Sequence, residues 1–202
     1  MSLFLTVLPY KINLDVIALT SSTVYGPDED KVIDKQTRIN RALVHYRMVM
    51  SDGTPCPLSE PFARLHIGSA GAAYNIDGLR ATGITHVVCL ADSVKFCMPD
   101  EITYFERITL SDDGTVNALE QFKECYPKCL EFVQSALDES PTNKVLVHCM
   151  QGKSRSAAIV VAYLMIHGKM KFGAALDLVR KARPCVCPAS PFAQFLQTLE
   201  NE

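Results

Sequence analysis

The stretch VLVHCMQGKSRSAAIVVAYLM, residues 145–165, constrains this chain more than any other. An apolar run of strand length stops at a His-Cys pair and crosses a polar loop holding one glycine and one arginine. Apolar sequence of helical length then begins. A strand apolar on both faces belongs in a parallel sheet covered by helices. In such sheets ligands sit beyond the carboxyl ends of the strands, and Cys149 stands at one of these ends. A buried strand has no structural need to finish on a thiol facing backbone amides and a guanidinium.

The neighbouring pattern is of the same kind. RLHIGS, THVVCLA, EITYFERITL and KVLVHC read as strands. AAYNIDGLRATG reads as a helix closed by Gly83, and Asn117 to Leu137 as a helical region kinked or broken at Pro127. Ser154 to His167 is an apolar helix stopped by Gly168, and FGAALDLVRKA is a helix ended by Pro184. SPFAQFLQTLE is a last helix, with Ser190 as N-cap and Pro191 at its first position. The expectation is an α/β domain with a mostly parallel central sheet flanked by helices.

Residues 1–56 differ. Two β-leaning runs, LFLTVLPY and LDVIALT, precede the polar SSTVYGPDEDK, and a helical pattern places Ile39, Ala42, Leu43 and Tyr46 on one face. The turn-rich SDGTPCPLSEP marks a boundary. The expected division is an N-terminal extension, 1–56, and a main domain, 57–202.

Composition narrows the classes. At 202 residues and 48% hydrophobic the chain suits one ordinary core. A net charge of −2 gives no global field toward nucleic acid or an anionic membrane. The longest uninterrupted apolar run, Ala157 to Ile166, is about half a bilayer span. The N-terminus lacks a basic leader and is broken by Pro9, so it does not read as a signal peptide, and Ser2 excludes the myristoylation pattern. The eight cysteines read as reduced, mostly buried small hydrophobes in a cytoplasmic or nuclear protein. Cys185-Val-Cys187 has no second pair at zinc spacing, and no metal or cofactor is expected. His45, His66, His86 and His167 lack partners at ligand spacing, and Asp92 reads as a strand-end cap. Nothing in the pattern sets an oligomeric state.

The loop itself is an anion site in sequence. Amides of Met150, Gln151, Gly152, Lys153, Ser154 and Arg155 can converge on one point, and the following helix adds its positive end. Gly152 permits the tight turn, and Arg155 supplies a planar fork for two oxygens of a tetrahedral anion. The same surroundings activate the thiol. Moving a cysteine pKa from about 8.5 to roughly 6 takes some 3–4 kcal/mol. A helix terminus supplies about 0.3–1 kcal/mol, so charge-assisted hydrogen bonds of about 1.5–3 kcal/mol each must close the gap. The Ser156 hydroxyl and the loop amides are the candidate donors. A thiolate held against a bound phosphate implies in-line attack on phosphorus and a cysteinyl-phosphate intermediate.

The full string, strand-His-Cys-x-x-Gly-x-x-Arg-Ser-helix, resembles the active-site loop of the dual-specificity protein phosphatases, within the cysteine-dependent protein tyrosine phosphatase superfamily. RLHIGSAGAAYNIDGLRATGITHVVCLAD resembles that family's opening strand–helix–strand. AYLMIHGKMKFGAALDLVRKARP and PFAQFLQTLE resemble its closing helices, while residues 1–56 match nothing in it. The resemblance implies Cys149 as nucleophile and Arg155 as phosphate clamp. It implies His148 as the residue that orients the loop and helps to depress the thiol pKa, and Ser156 as stabiliser of the departing thiolate. It also implies an aspartic acid that protonates the leaving oxygen and then activates water. SDDGTVN offers Asp112 and Asp113. The family places its acid five residues before the Asn or Asp that starts the next helix, so counting back from Asn117 prefers Asp112. Lys153 departs from the small or apolar residue common in the family. Some relatives bridge the nucleophile to a cysteine on the adjacent strand, which makes Cys89 the candidate redox partner; the plainer reading is a core cysteine. The implied substrate is a phosphoprotein carrying phosphotyrosine or phosphoserine/threonine. The alternatives are the same chemistry on a phosphoinositide, glucan or RNA end, and a weakly catalytic phospho-recognition module. A sulfur-transfer or arsenate-reducing enzyme also uses such a loop, but the downstream segments fit the phosphatases better.

Overall fold

The computed structural model describes residues 4–7, 10–13, 44, 49, 51–92, 94–108 and 110–201. The chain divides into two compact units, residues 1–51 and 52–202. In the first, strands β1 (Phe4–Val7) and β2 (Tyr10–Asn13) pair antiparallel. The second β-leaning run and the helical positions Ile39, Ala42, Leu43 and Tyr46 lie outside the described residues. The division falls just before Asp52 rather than after Cys56, because Cys56 already pairs with Ile67 in the main sheet.

That sheet has five strands in the order β3-β4-β7-β5-β6, formed by β3 (Cys56–Pro57), β4 (Leu65–Gly68), β5 (His86–Cys89), β6 (Thr103–Tyr104) and β7 (Val145–His148). Only β3 runs antiparallel to its neighbour. The three central strands are buried at every position, as their unbroken apolar runs predict. Gly68, His148 and Cys89 lie side by side in register, so these strands end level with one another. The loops that follow them therefore meet at one edge.

Helices α1 (Ala70–Tyr74), α2 (Ile76–Thr82), α3 (Val116–Glu139), α4 (Arg155–Ile166), α5 (Phe172–Ala182) and α6 (Ser190–Thr198) complete the unit. Strand alternation sends Leu65, Ile67, Val88, Val145 and Val147 into the larger core with residues of α3, α4, α5 and α6. Val87 and Leu146 point the other way, into a smaller cluster with Leu79 of α2, Ile84, Met98 and Ile102. Helix α4 has ten of its twelve residues buried, Ser156 to Met165, and lies inside the larger core. None of the described helices is both long and apolar enough to cross a membrane.

Four local expectations are corrected. The predicted helix over 72–83 is two helices, broken at Asn75, whose side chain caps α2 by accepting from the Gly78 amide at 2.9 Å. Among the described residues of EITYFERITL, only Thr103–Tyr104 form a strand. Helix α6 is capped by Ala189, and Ser190 makes no capping bond. Helix α3 runs through Pro127 without a break. Pro127 is exposed, so the carbonyl that loses its partner one turn back faces the wet side of the helix. Its buried stripe of Ala118, Phe122, Cys125, Cys129, Leu130, Val133 and Ala136 continues across the proline.

Candidate active site

Cys149 follows directly on β7 and is only 1% exposed. Four consecutive carbonyls of the loop after it are each taken from outside. Met150 O accepts from the Ala70 amide at 3.0 Å, and Lys153 O from the Cys187 amide at 2.8 Å. Gln151 O and Gly152 O accept from Nη2 and Nε of Arg183 at 2.8 and 2.7 Å. Carbonyl and amide point opposite ways across a peptide plane, so the N–H groups of residues 151–154 turn inward. The amide of Gly152 donates to the Cys149 sulfur at 3.3 Å. Gly152 sits at φ +68°, and an added Cβ there would lie 2.5 Å from the carbonyl oxygen of Gly68. Only glycine fits both demands.

Electrostatics at the sulfur follow from these contacts. Complete burial opposes ionisation, but the Arg155 charge, the Ser156 hydroxyl and the amides of Ser156 and Gly152 outweigh it. The thiol is held below its ordinary value, with Ser156 Oγ 3.4 Å from the sulfur. His148 is completely buried next to the nucleophile. Burial drives its pKa down to about 4, against a hydrogen bond with the Cys149 carbonyl and with the Arg155 charge adding to the fall. It is therefore neutral at pH 7, and its Nδ1 lies 3.4 Å from that carbonyl. Its contact here is with the backbone at Cys149 rather than with the thiolate.

Arg155 is fixed from behind. Its Nη1 donates to the carbonyls of Leu90 and Leu110, each at 3.2 Å. Its Nε is buried, and among the described residues it is the one buried side-chain nitrogen or oxygen with no hydrogen-bond partner. An orphaned buried donor is costly, and a tetrahedral oxyanion in the cup would satisfy it. The nearest carboxylate oxygen, Asp112 Oδ2, is 3.7 Å away.

The two aspartates separate cleanly. Asp113 spends its carboxylate locally, accepting from Ser111 Oγ at 3.0 Å and from the Thr115 amide and hydroxyl at 3.0 and 2.7 Å. Those Thr115 bonds hold its pKa below the usual value. Asp112 is turned toward the loop, where Oδ1 accepts from Ser154 Oγ at 2.7 Å. Burial raises its pKa, although the Ser154 bond and the Arg155 charge resist, with Asp113 adding to the rise. A carboxyl pushed upward beside an anion site suits a proton donor. Thr115, rather than Asn117, caps α3 through a bond from the Ala118 amide, so the residue count reached Asp112 from a helix start that lies elsewhere.

Lys153 is half-buried on the outer part of the loop. Cys89 lies in register with His148, and its thiol donates to the Ala91 carbonyl at 3.4 Å. Alternation puts Cys89 on the sheet face of Val87, while Cys149 joins the core on the opposite face. All eight thiols are free. Among the described residues no cluster of three His, Cys, Asp or Glu side chains has a metal-binding arrangement. Sequence reasoning missed Arg183 and its carboxylate partner Asp52. The ARP segment was visible, but nothing in the string ties it to a residue 131 positions away.

A lowered thiol at the floor of a ring of inward amides, with an arginine fork and a raised carboxyl at its lip, defines a cysteine-dependent phosphatase of the protein tyrosine phosphatase superfamily. The sequence profile of the dual specificity phosphatase catalytic domain matches residues 65–202, and the chain belongs to that family. It is 38% identical over 136 residues to dual specificity protein phosphatase 19 of Mus musculus, covering 67% of this chain and 59% of that one. It is 32% identical over 184 residues to dual specificity protein phosphatase 1 of Arabidopsis thaliana, covering 90% and 88%. The crystal structure of human DUSP28 superimposes with a TM-score of 0.63 at 27% identity, covering 74% of this chain and 97% of that one.

Proposed function

We propose that this protein phosphatase hydrolyses phosphotyrosine and phosphoserine/threonine through a cysteinyl-phosphate on Cys149. Arg155 Nε and the amides of residues 151–154 bind the phosphate oxygens, and the thiolate attacks phosphorus from below. Asp112 gives its proton to the leaving oxygen as the P–O bond breaks. The resulting carboxylate then takes a proton from water, whose oxygen attacks phosphorus and expels the thiolate, stabilised by Ser156. The observation that carries this reading is the buried, unpartnered Nε of Arg155 set beside a thiol already held below its normal pKa.

Turnover of an aryl phosphate tests it. Cys149→Ser and Arg155→Lys should be nearly inert, the lysine because a point charge does not reproduce the fork. Asp112→Ala should lose about 10²–10⁴-fold on leaving groups that need a proton, and Asp113→Ala far less. A fully active Cys149→Ser would end the reading. Phosphopeptides carrying each of the three phosphorylated residues then test the specificity.

A further inference from the structure

Ser154 makes two hydrogen bonds that the start of a helix does not require. As N-cap of α4 its hydroxyl would ordinarily accept from a first-turn amide, yet it makes no such bond. Its Oγ instead accepts from the Ala189 amide at 2.9 Å and donates to Asp112 Oδ1 at 2.7 Å. A serine has one proton to give. With the Ala189 N–H occupying a lone pair, that proton is directed at Asp112. The hydroxyl is buried and held from behind by the backbone just before α6, so it has little freedom to turn away.

We propose that Ser154 is a positioning residue for the proton-transfer step, and that it dictates which oxygen of Asp112 carries the transferable proton. Oδ1 already receives the serine hydrogen, so the proton of the neutral acid resides on Oδ2. That oxygen lies on the side of Arg155 Nε, 3.7 Å from it, where the bound phosphate and its leaving oxygen come. As the P–O bond breaks, the Oδ2 proton moves to the leaving oxygen and Asp112 becomes a carboxylate. The Ser154 bond strengthens to that charge and keeps Oδ2 free to accept a proton from the attacking water. The charged groups that act on Asp112 are Arg155 and Asp113. The inference rests on the reading of Asp112 as the acid, and the test separates the two.

The experiment is a series of aryl phosphates of graded leaving-group acidity, turned over by the full chain as wild type, Ser154→Ala, Ser154→Thr, Asp112→Ala and the Ser154→Ala/Asp112→Ala double variant. Ser154→Ala should lower kcat by about 10–100-fold on the least acidic leaving groups and barely on the most acidic, steepening the dependence. KM and vanadate affinity should stay near wild type, because the loop amides are unchanged. Ser154→Thr, which keeps the hydroxyl, should restore the shallow dependence. In the Asp112→Ala background the serine change should add nothing. An even loss across the series, or a double variant slower than Asp112→Ala, would assign Ser154 a merely structural role and overturn the proposal. A flat response of Asp112→Ala would remove both the proposal and the acid assignment, while an inert wild type would remove the phosphatase reading itself. If thermal melting shows Ser154→Ala unfolded, Ser154→Cys, a poor donor at the same place, is put through the same series.

Discussion

Burial alone would keep the Cys149 thiol protonated, and its lowered pKa measures how far Arg155, Ser156 and two amides overcome that burial. Asp112 is the mirror case, a carboxyl whose pKa burial raises against the pull of Ser154 and Arg155. The pH dependence of kcat/KM should therefore be bell-shaped, rising as Cys149 ionises and falling as Asp112 loses its proton. Ser156→Ala removes a donor to the thiolate, so its rising limb should move to higher pH. Stability follows the same shifts with opposite signs. An acid with a raised folded pKa stabilises most below its unfolded value near 3.9 and loses that contribution as pH rises through the folded pKa. Above that folded pKa the wild type therefore holds a carboxylate the fold disfavours. Asp112→Asn keeps an acceptor for Ser154 and should melt at or above wild type at pH 7, with the advantage shrinking toward pH 3. Calorimetry across that range checks the sign, and a variant less stable at pH 7 than at pH 3 relative to wild type would contradict it. Gly152→Ala should cost about 1–3 kcal/mol from the left-handed φ alone, with the clash at the Gly68 carbonyl added. Denaturant melts and vanadate titration read the two losses together.

At the scale of elements, what makes the loop an anion cup is its outer wall. Arg183, at the end of α5, is 5% exposed and ties Gln151 O and Gly152 O to the carboxylate of Asp52. A lysine there cannot hold two carbonyls and a carboxylate in one plane. Arg183→Lys should weaken oxyanion binding and lower Tm, read by vanadate titration and thermal melts. Asp52 is more than a third exposed, so the pair falls short of a fully buried one, and Asp52→Ala should cost only about 1–2 kcal/mol. Pro127 gives a test in the opposite direction. Replacing it by alanine on the exposed side of α3 restores a helical donor and should stabilise by about 1–3 kcal/mol. The order of strands and helices was legible in the string because the central strands are apolar at every position and the helices carry their own periodicity or end at Gly83 and Pro184. Pro127 misled because propensity weighs the ring and not the seven buried side chains that hold the helix on both sides of it. Cys149, Arg155 and Ser156 were legible because they fall in one short stretch from the end of β7 to the first turn of α4, and Arg183 was not because its meaning lies in carbonyls far away in sequence.

Over the whole molecule, the described contacts divide the chain at Ser51 and Asp52, whereas turn chemistry placed the boundary after Cys56. Those few residues matter physically. Asp52 supplies the carboxylate to Arg183, its carbonyl accepts from Ser69 Oγ at 2.8 Å, and Cys56 and Pro57 add the antiparallel edge to β4. Every side chain assigned to the chemistry lies after residue 52. A chain of residues 52–202 should therefore fold and turn over aryl phosphates with kcat close to that of the full protein. Starting at residue 57 removes the Asp52 carboxylate and half of β3 together. That shorter chain should lose about 2–4 kcal/mol, since a nearly buried guanidinium and an edge of β4 lose their partners at once. Its loop carbonyls are then held by an unanchored arginine, so vanadate affinity should drop with stability. Equal melting and equal affinity for the two truncations would show that Asp52 plays no part in holding the cup, and an unfolded 52–202 would show that the first unit is needed to complete the core.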